Sequence, residues 1–93
     1  MMVTHAFAFF DRKGGFFSTP FFFPVTPMAM RAAADLAQDA RTTIGQHPAD
    51  YDLFKLGLYD DASGTFSGAS PEFVCNCQSL VNQNHTSNGD TAQ

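Results

Sequence analysis

Phe16-Phe17-Ser18-Thr19-Pro20-Phe21-Phe22-Phe23-Pro24-Val25-Thr26-Pro27 is the stretch that decides the fold. Its first half is aromatic and β-favouring. At period two, Phe17, Thr19, Phe21 and Phe23 share one face, and Phe16, Ser18 and Phe22 the other. Pro20 has no N–H for a ladder, so this strand lies at a sheet edge or bends there. Thr26-Pro27 then marks a helix start, because Thr is a favoured N-cap and proline suits the first helical position. The helix is expected to run to Thr43 or Ile44, through the alanine-rich segment after Pro27. Ala29, Ala33, Leu36, Ala37, Ala40 and Ile44 form its apolar stripe. Gly45 supplies a stop and Pro48 prevents continuation.

Upstream, Val3 to Phe10 reads as a strand with Val3, His5, Phe7 and Phe9 on one face. Asp11-Arg12-Lys13-Gly14-Gly15 has the length and glycines of a hairpin loop. Downstream, Tyr51 to Tyr59 reads as a third strand, with Phe54, Leu56 and Leu58 opposite Leu53, Lys55, Gly57 and Tyr59. Asp60-Asp61-Ala62-Ser63-Gly64 has tight-turn chemistry. Thr65 to Ser67 begins a fourth strand, interrupted at Pro71, and Phe73-Val74-Cys75 adds extended residues. The order β-β-α-β-β predicts a small two-layer α+β domain, an antiparallel sheet with one helix packed on one face. Residues 1–76 form the folded domain. Residues 77–93, polar and with little to bury, form a tail expected to be disordered.

A chain of 93 residues is one domain near the lower size limit for a self-sufficient core. Eleven phenylalanines, most of them between Phe7 and Phe23, belong in that core or on a partner surface. Phe16, Phe17, Phe21, Phe22 and Phe23 are the candidate interaction surface, with homodimerisation through the uncovered sheet face as the expectation. The net charge of -4 opposes strong non-specific binding to nucleic acid. Arg12 and Lys13 beside aromatics, with Arg31 and Lys55, nevertheless make a candidate contact for a single strand. No apolar run approaches the roughly 20 residues of a membrane span, and Asp11 breaks any secretory-signal pattern.

Other constellations have plainer readings. Cys75-Asn76-Cys77 is half of a tetrahedral site, but His5, His47 and His85 lack ligand spacing around it, so free thiols in a reducing compartment are expected and no metal or cofactor. His47, Asp50 and Tyr51 are acid–base groups without a nucleophile or oxyanion donors, and no enzyme is expected. Asp60, Asp61 and Ser63 lack the terminal acidic ligand of a calcium loop. Asn84-His85-Thr86 fits a glycosylation acceptor, which matters only in a secreted eukaryotic protein.

Phe9-Phe10-Asp11-Arg12-Lys13, Pro20-Phe21-Phe22-Phe23-Pro24, Ala29-Met30-Arg31-Ala32 and Asp35-Leu36 follow one another in a recognisable order. His47-Pro48-Ala49-Asp50-Tyr51-Asp52-Leu53-Phe54-Lys55-Leu56-Gly57 and Asp60-Asp61 to Gly64-Thr65-Phe66 complete the series. From about Ala8 to Phe66 the chain resembles the small nonstructural protein of gokushovirus-type microviruses, tailless phages with circular single-stranded DNA. That resemblance implies a bacteriophage accessory protein in viral DNA synthesis, or in its switch to packaging, acting in the host bacterial cytoplasm. It implies single-stranded DNA or phage and host replication proteins as partners, and carries over no catalytic residue. The alternative is an adaptor for replication or assembly proteins without direct DNA contact.

Overall fold

The structure is a computed structural model and describes residues 3–81. Two antiparallel hairpins joined by a helix build one five-stranded sheet. The strands are β1 (Val3–Asp11), β2 (Phe16–Phe17), β3 (Phe21–Phe23), β4 (Tyr51–Asp60) and β5 (Thr65–Asn76). β1 lies inside the sheet, with β4 on one side and both β2 and β3 on the other; β5 pairs with β4. This is the expected α+β arrangement. Helix α1 (Thr26–Ala37) packs on one face, followed by the short helix α2 (Thr43–Gln46) and a 3₁₀ turn (Pro48–Asp50).

The core joins Phe7 and Phe9 of β1 and Leu53 of β4 to Ala29, Ala33, Ala34 and Ala37 of α1. Alanines let the helix backbone come close to the sheet, and the phenylalanine rings fill the remaining space. Phe21 and Phe23 pack against this cluster from β3.

Three local expectations change. The helix ends at Ala37 and is capped at Val25 without a side-chain bond, although proline does stand in its first turn. Thr42 interrupts it. The Thr42 hydroxyl lies 2.9 Å from the Leu36 carbonyl and 2.8 Å from that of Asp39, and it accepts the Gly45 N–H as the cap of α2.

The second strand is split, as Pro20 suggested, and the split reverses its faces. Phe17 pairs with Phe10 while Phe21 pairs with Phe7, so one extra residue is accommodated between them. A one-residue slip turns every later side chain over. Ser18 holds the break: its N–H donates to the Phe9 carbonyl at 2.7 Å, and its hydroxyl accepts the Phe9 N–H at 3.0 Å. Phe17 therefore shares a face with Phe22, away from Phe21 and Phe23. β4 has a matching irregularity, since Ala6 faces Gly57 and Phe7 faces Lys55. The bulge at Leu56 puts Phe54 and Tyr59 on one face and Leu53 and Leu58 on the other. Across from it, Gly57 pairs with Gly68, where a Cβ on Gly57 would stand 2.5 Å from the Ser67 carbonyl oxygen.

The folded part also runs past Asn76. Residues 77–81 form a helix, α3, and Cys77 and Leu80 are enclosed in the core, so the expected boundary falls inside it. Asn76 is the joint. Its amide donates to the Ala49 carbonyl at 3.0 Å and the Asp52 carboxylate at 2.8 Å, while its oxygen accepts the Gln78 N–H at 2.9 Å. The remainder of the expected tail, with Asn84 and His85, lies outside the described residues.

Asn76→Ala removes this cap and these ties, and urea denaturation is expected to show a loss of about 1–2 kcal/mol. Cys75 and Cys77 are free thiols. Burial, then the neighbouring Cys75 and Asp52, pushes Cys77 from its ordinary 9.0 up to about 12. Native Cys77 should therefore resist thiol reagents at pH 8 and react once the chain is unfolded. Because the folded-state pKa is the raised one, this thiol's contribution to stability is complete below pH 9.0 and is lost as pH rises towards about 12. Thermal melts across that range check the sign.

Candidate functional site

Antiparallel pairing puts cross-strand partners on the same face, so the register defines the surface opposite α1. Along β1 that surface is Thr4, Ala6, Ala8 and Phe10, facing Tyr59, Gly57, Phe54 and Asp52 of β4. Ala6 and Ala8 are small, and the rings beside them cover both: Ala6 pairs with Phe22, and Ala8 with Phe54. β5 adds Phe66 opposite Tyr59 and Phe73 opposite Phe54.

The rings form two groups at opposite ends of the face. At the β1–β2 hairpin end, Phe10 and Phe17 have centroids 4.8 Å apart. Phe54 meets Phe17 edge-on at 5.4 Å and Phe73 at 5.8 Å. These T-shaped contacts match the preference of aromatic quadrupoles. At the β4–β5 turn, Phe22, Tyr59 and Phe66 lie 4.9 to 6.0 Å apart with no pair parallel. Phe66 is 67% exposed, Phe73 57%, and Phe17 and Phe22 41% each. These two exposed ring groups lie on one layer of a two-layer domain, and exposed apolar patches of this kind mark interaction sites.

The residues singled out in the sequence divide accordingly. Phe17 and Phe22 belong to the face. Phe16 pairs with Asp11 at the hairpin and is 59% exposed, outside both ring groups. Phe21 and Phe23 turn towards α1 and pack on the core, so they are not part of an open surface. Phe10, Phe54, Tyr59, Phe66 and Phe73 were missed. Phe54 and Tyr59 sit on opposite faces of an unbroken alternation, and only the bulge unites them.

The four candidate cations do not converge. Arg12 and Lys13 share the hairpin tip next to the first ring group. There Arg12 lies 3.9 Å from the Asp52 carboxylate and 3.4 Å from the Ala49 carbonyl. The tip itself is shaped by Asp11, whose carboxylate accepts the N–H groups of Lys13 and Gly14. Arg31 is exposed on α1, in the other layer. Lys55 pairs with Phe7 and Glu72, which puts it on the helix side of the sheet. Arg41 binds Asp39 through two 2.9 Å contacts, which lower the Asp39 carboxyl and raise the guanidinium.

His47 and Asp50 serve a connector: the Asp50 N–H donates to the His47 carbonyl, and the Asp50 carbonyl accepts the Arg12 N–H. Burial raises the Tyr51 hydroxyl, helped by the charges of Asp11 and Asp50. Asp60 closes the β4–β5 turn, its carboxylate accepting the Ala62 N–H and its carbonyl the Gly64 N–H. Gly64 takes the left-handed φ of 72° that this turn requires. Among the described residues no three of His, Cys, Asp and Glu are gathered as metal ligands, and no helix is long and apolar enough to cross a membrane.

No curated protein and no solved structure matches the chain. The model of the phage ORF5 protein family matches residues 4–80, from the start of β1 through the buried Leu80. With most of its length and all of its described fold but the end residues Val3 and Val81 inside that match, the chain belongs to the phage ORF5 protein family.

Proposed function

We propose that this phage protein is a nonstructural accessory factor in viral single-stranded DNA synthesis, or in its switch to packaging. It acts by binding rather than by catalysis. The observation that carries the binding mode is the aromatic face opposite α1, with Phe17, Phe22, Phe66 and Phe73 exposed on it. Resemblance to the gokushovirus-type nonstructural proteins supports the replication context, and two free thiols fit a reducing host cytoplasm. Stacking of bases on aromatic rings is tolerant of sequence, as an accessory factor coating many sequences requires. The hairpin end of the face, where Arg12 and Lys13 flank Phe10 and Phe17, is the end suited to a strand.

The net charge of -4 and the Arg12–Asp52 contact limit how many phosphates the protein neutralises. Binding to a fluorescent oligothymidine, followed by anisotropy at low and near-physiological salt, is therefore expected to be weak with a shallow salt slope. Replacing Phe17 and Phe73 with alanine should weaken it by about 1–3 kcal/mol per lost stack, with the fold checked by circular dichroism. No binding at low salt would overturn the strand contact. It would leave the second reading, an adaptor for replication or assembly proteins, which the same carboxylate-flanked apolar face favours. A homodimer through this face belongs to that reading, and sedimentation velocity over a concentration series tests it.

A further inference from the structure

The sheet face opposite α1 carries a hollow as well as rings. At the level where Gly57 pairs with Ala6 and with Gly68, between the two ring groups, the face dips. Ala6, Pro20, Leu56, Gly57, Phe66 and Gly68 line a hollow there of about 180 Å³. An apolar cavity of about 150 Å³ admits benzene, so this hollow has the size of a phenylalanine ring. The rings of the hairpin end do not line it. Of those rings Phe73 is the most exposed, 57% against 41% for Phe17. A knob and a socket of matching size and apolar character thus lie apart on one face.

Neither edge of the sheet invites a further strand. Along β5, Pro71 has no N–H to donate, and the register against β4 shifts twice. The opposite edge is broken at Pro20 into β2 and β3, of two and three residues. Self-association is therefore steered to the face. The sheet presents four strand rows there. At strand spacings of about 4.8 Å and lengths of about 30 Å they give a flat area on the order of 600 Å². The relief of the rings raises it towards the roughly 800 Å² that each partner buries in a standard interface.

We propose that a second copy of this chain packs face to face on this surface, with the Phe73 ring of each copy seated in the hollow of the other. A twofold axis in the plane of the interface, midway between ring and hollow, makes both contacts at once, as an isologous dimer requires. This contact rests on the second reading above, in which the face meets protein, and it adds a regulation. The same packing covers Phe17, so self-association withholds the face from a strand. Each copy carries a charge of -4, so the dimer gains strength as salt screens the repulsion, whereas a strand contact loses it.

The test is sedimentation velocity of the full chain over a concentration series at low and near-physiological salt, joined to isotope-filtered NMR of mixed labelled and unlabelled chains. A dimer favoured by concentration and by salt is expected, with cross-peaks between the Phe73 ring and the Ala6 methyl of different copies. Phe73→Ala should raise the dimer Kd at least about tenfold. Phe16→Ala, similarly exposed but outside both ring groups, should leave it unchanged. A monomer at every concentration overturns this contact together with the dimer reading. A dimer untouched by Phe73→Ala, or weakened equally by both variants, overturns this contact alone. So do spectral changes at Ala6 and Gly68 that follow added oligothymidine and not protein concentration, which would make the hollow part of a strand site.

Discussion

The middle of β1, from Ala6 to Phe9, is enclosed on every side, and this constraint shapes the rest of the domain. Its backbone is paired along both edges, with β4 on one and with β2 and β3 on the other. Phe7 and Phe9 must be covered on one face, and the alanine stripe of α1 does so at close range. On the reverse face β1 offers Ala6 and Ala8, which are too small to build a layer of their own. Larger rings from neighbouring strands close over them, and those rings have no second layer above them. The aromatic surface is thus a direct result of putting large side chains on one side of the central strand and small ones on the other.

That surface is not uniform along its length. Arg12 and Lys13 stand at one end, although Asp52 engages the arginine. Asp60 and Asp61 stand at the other, in the turn between β4 and β5. The sheet thereby holds two apolar patches of similar composition in different electrostatic surroundings. Aromatic rings offer stacking surface at either patch, and the charge that flanks each patch differs in sign.

Much of the fold was legible from period and punctuation. The order of elements, the Pro20 break, the helix start near Thr26-Pro27 and the Asp60 to Gly64 turn follow from local chemistry. The faces of β3 and β4 were not legible, because each depends on a single extra residue accommodated against β1. A register slip leaves no mark in composition, yet it moved Phe17 and Tyr59 to the opposite face from that read by alternation. The alanine-rich composition extended the helix reading past Ala37, where the Thr42 hydroxyl competes for its last carbonyls. Asn76 was a readable signal that was passed over: asparagine is a favoured N-cap, and Leu80 with Val81 gave the short segment something to bury. Of the site, Phe17 and Phe22 were visible, while Phe66 and Phe73 needed the pairing of β5 to join them.

The enclosure of Cys77 and Leu80 has a consequence for how the protein is made. These are among the last described residues, yet they sit against the same cluster as Phe7, near the first. During synthesis the hairpin of β1 and β2 emerges long before the side chains that seal the layer beneath it. A nascent chain therefore completes the cluster around Phe7 only after Cys77 and Leu80 have been added, although α1 can cover Phe7 and Phe9 earlier.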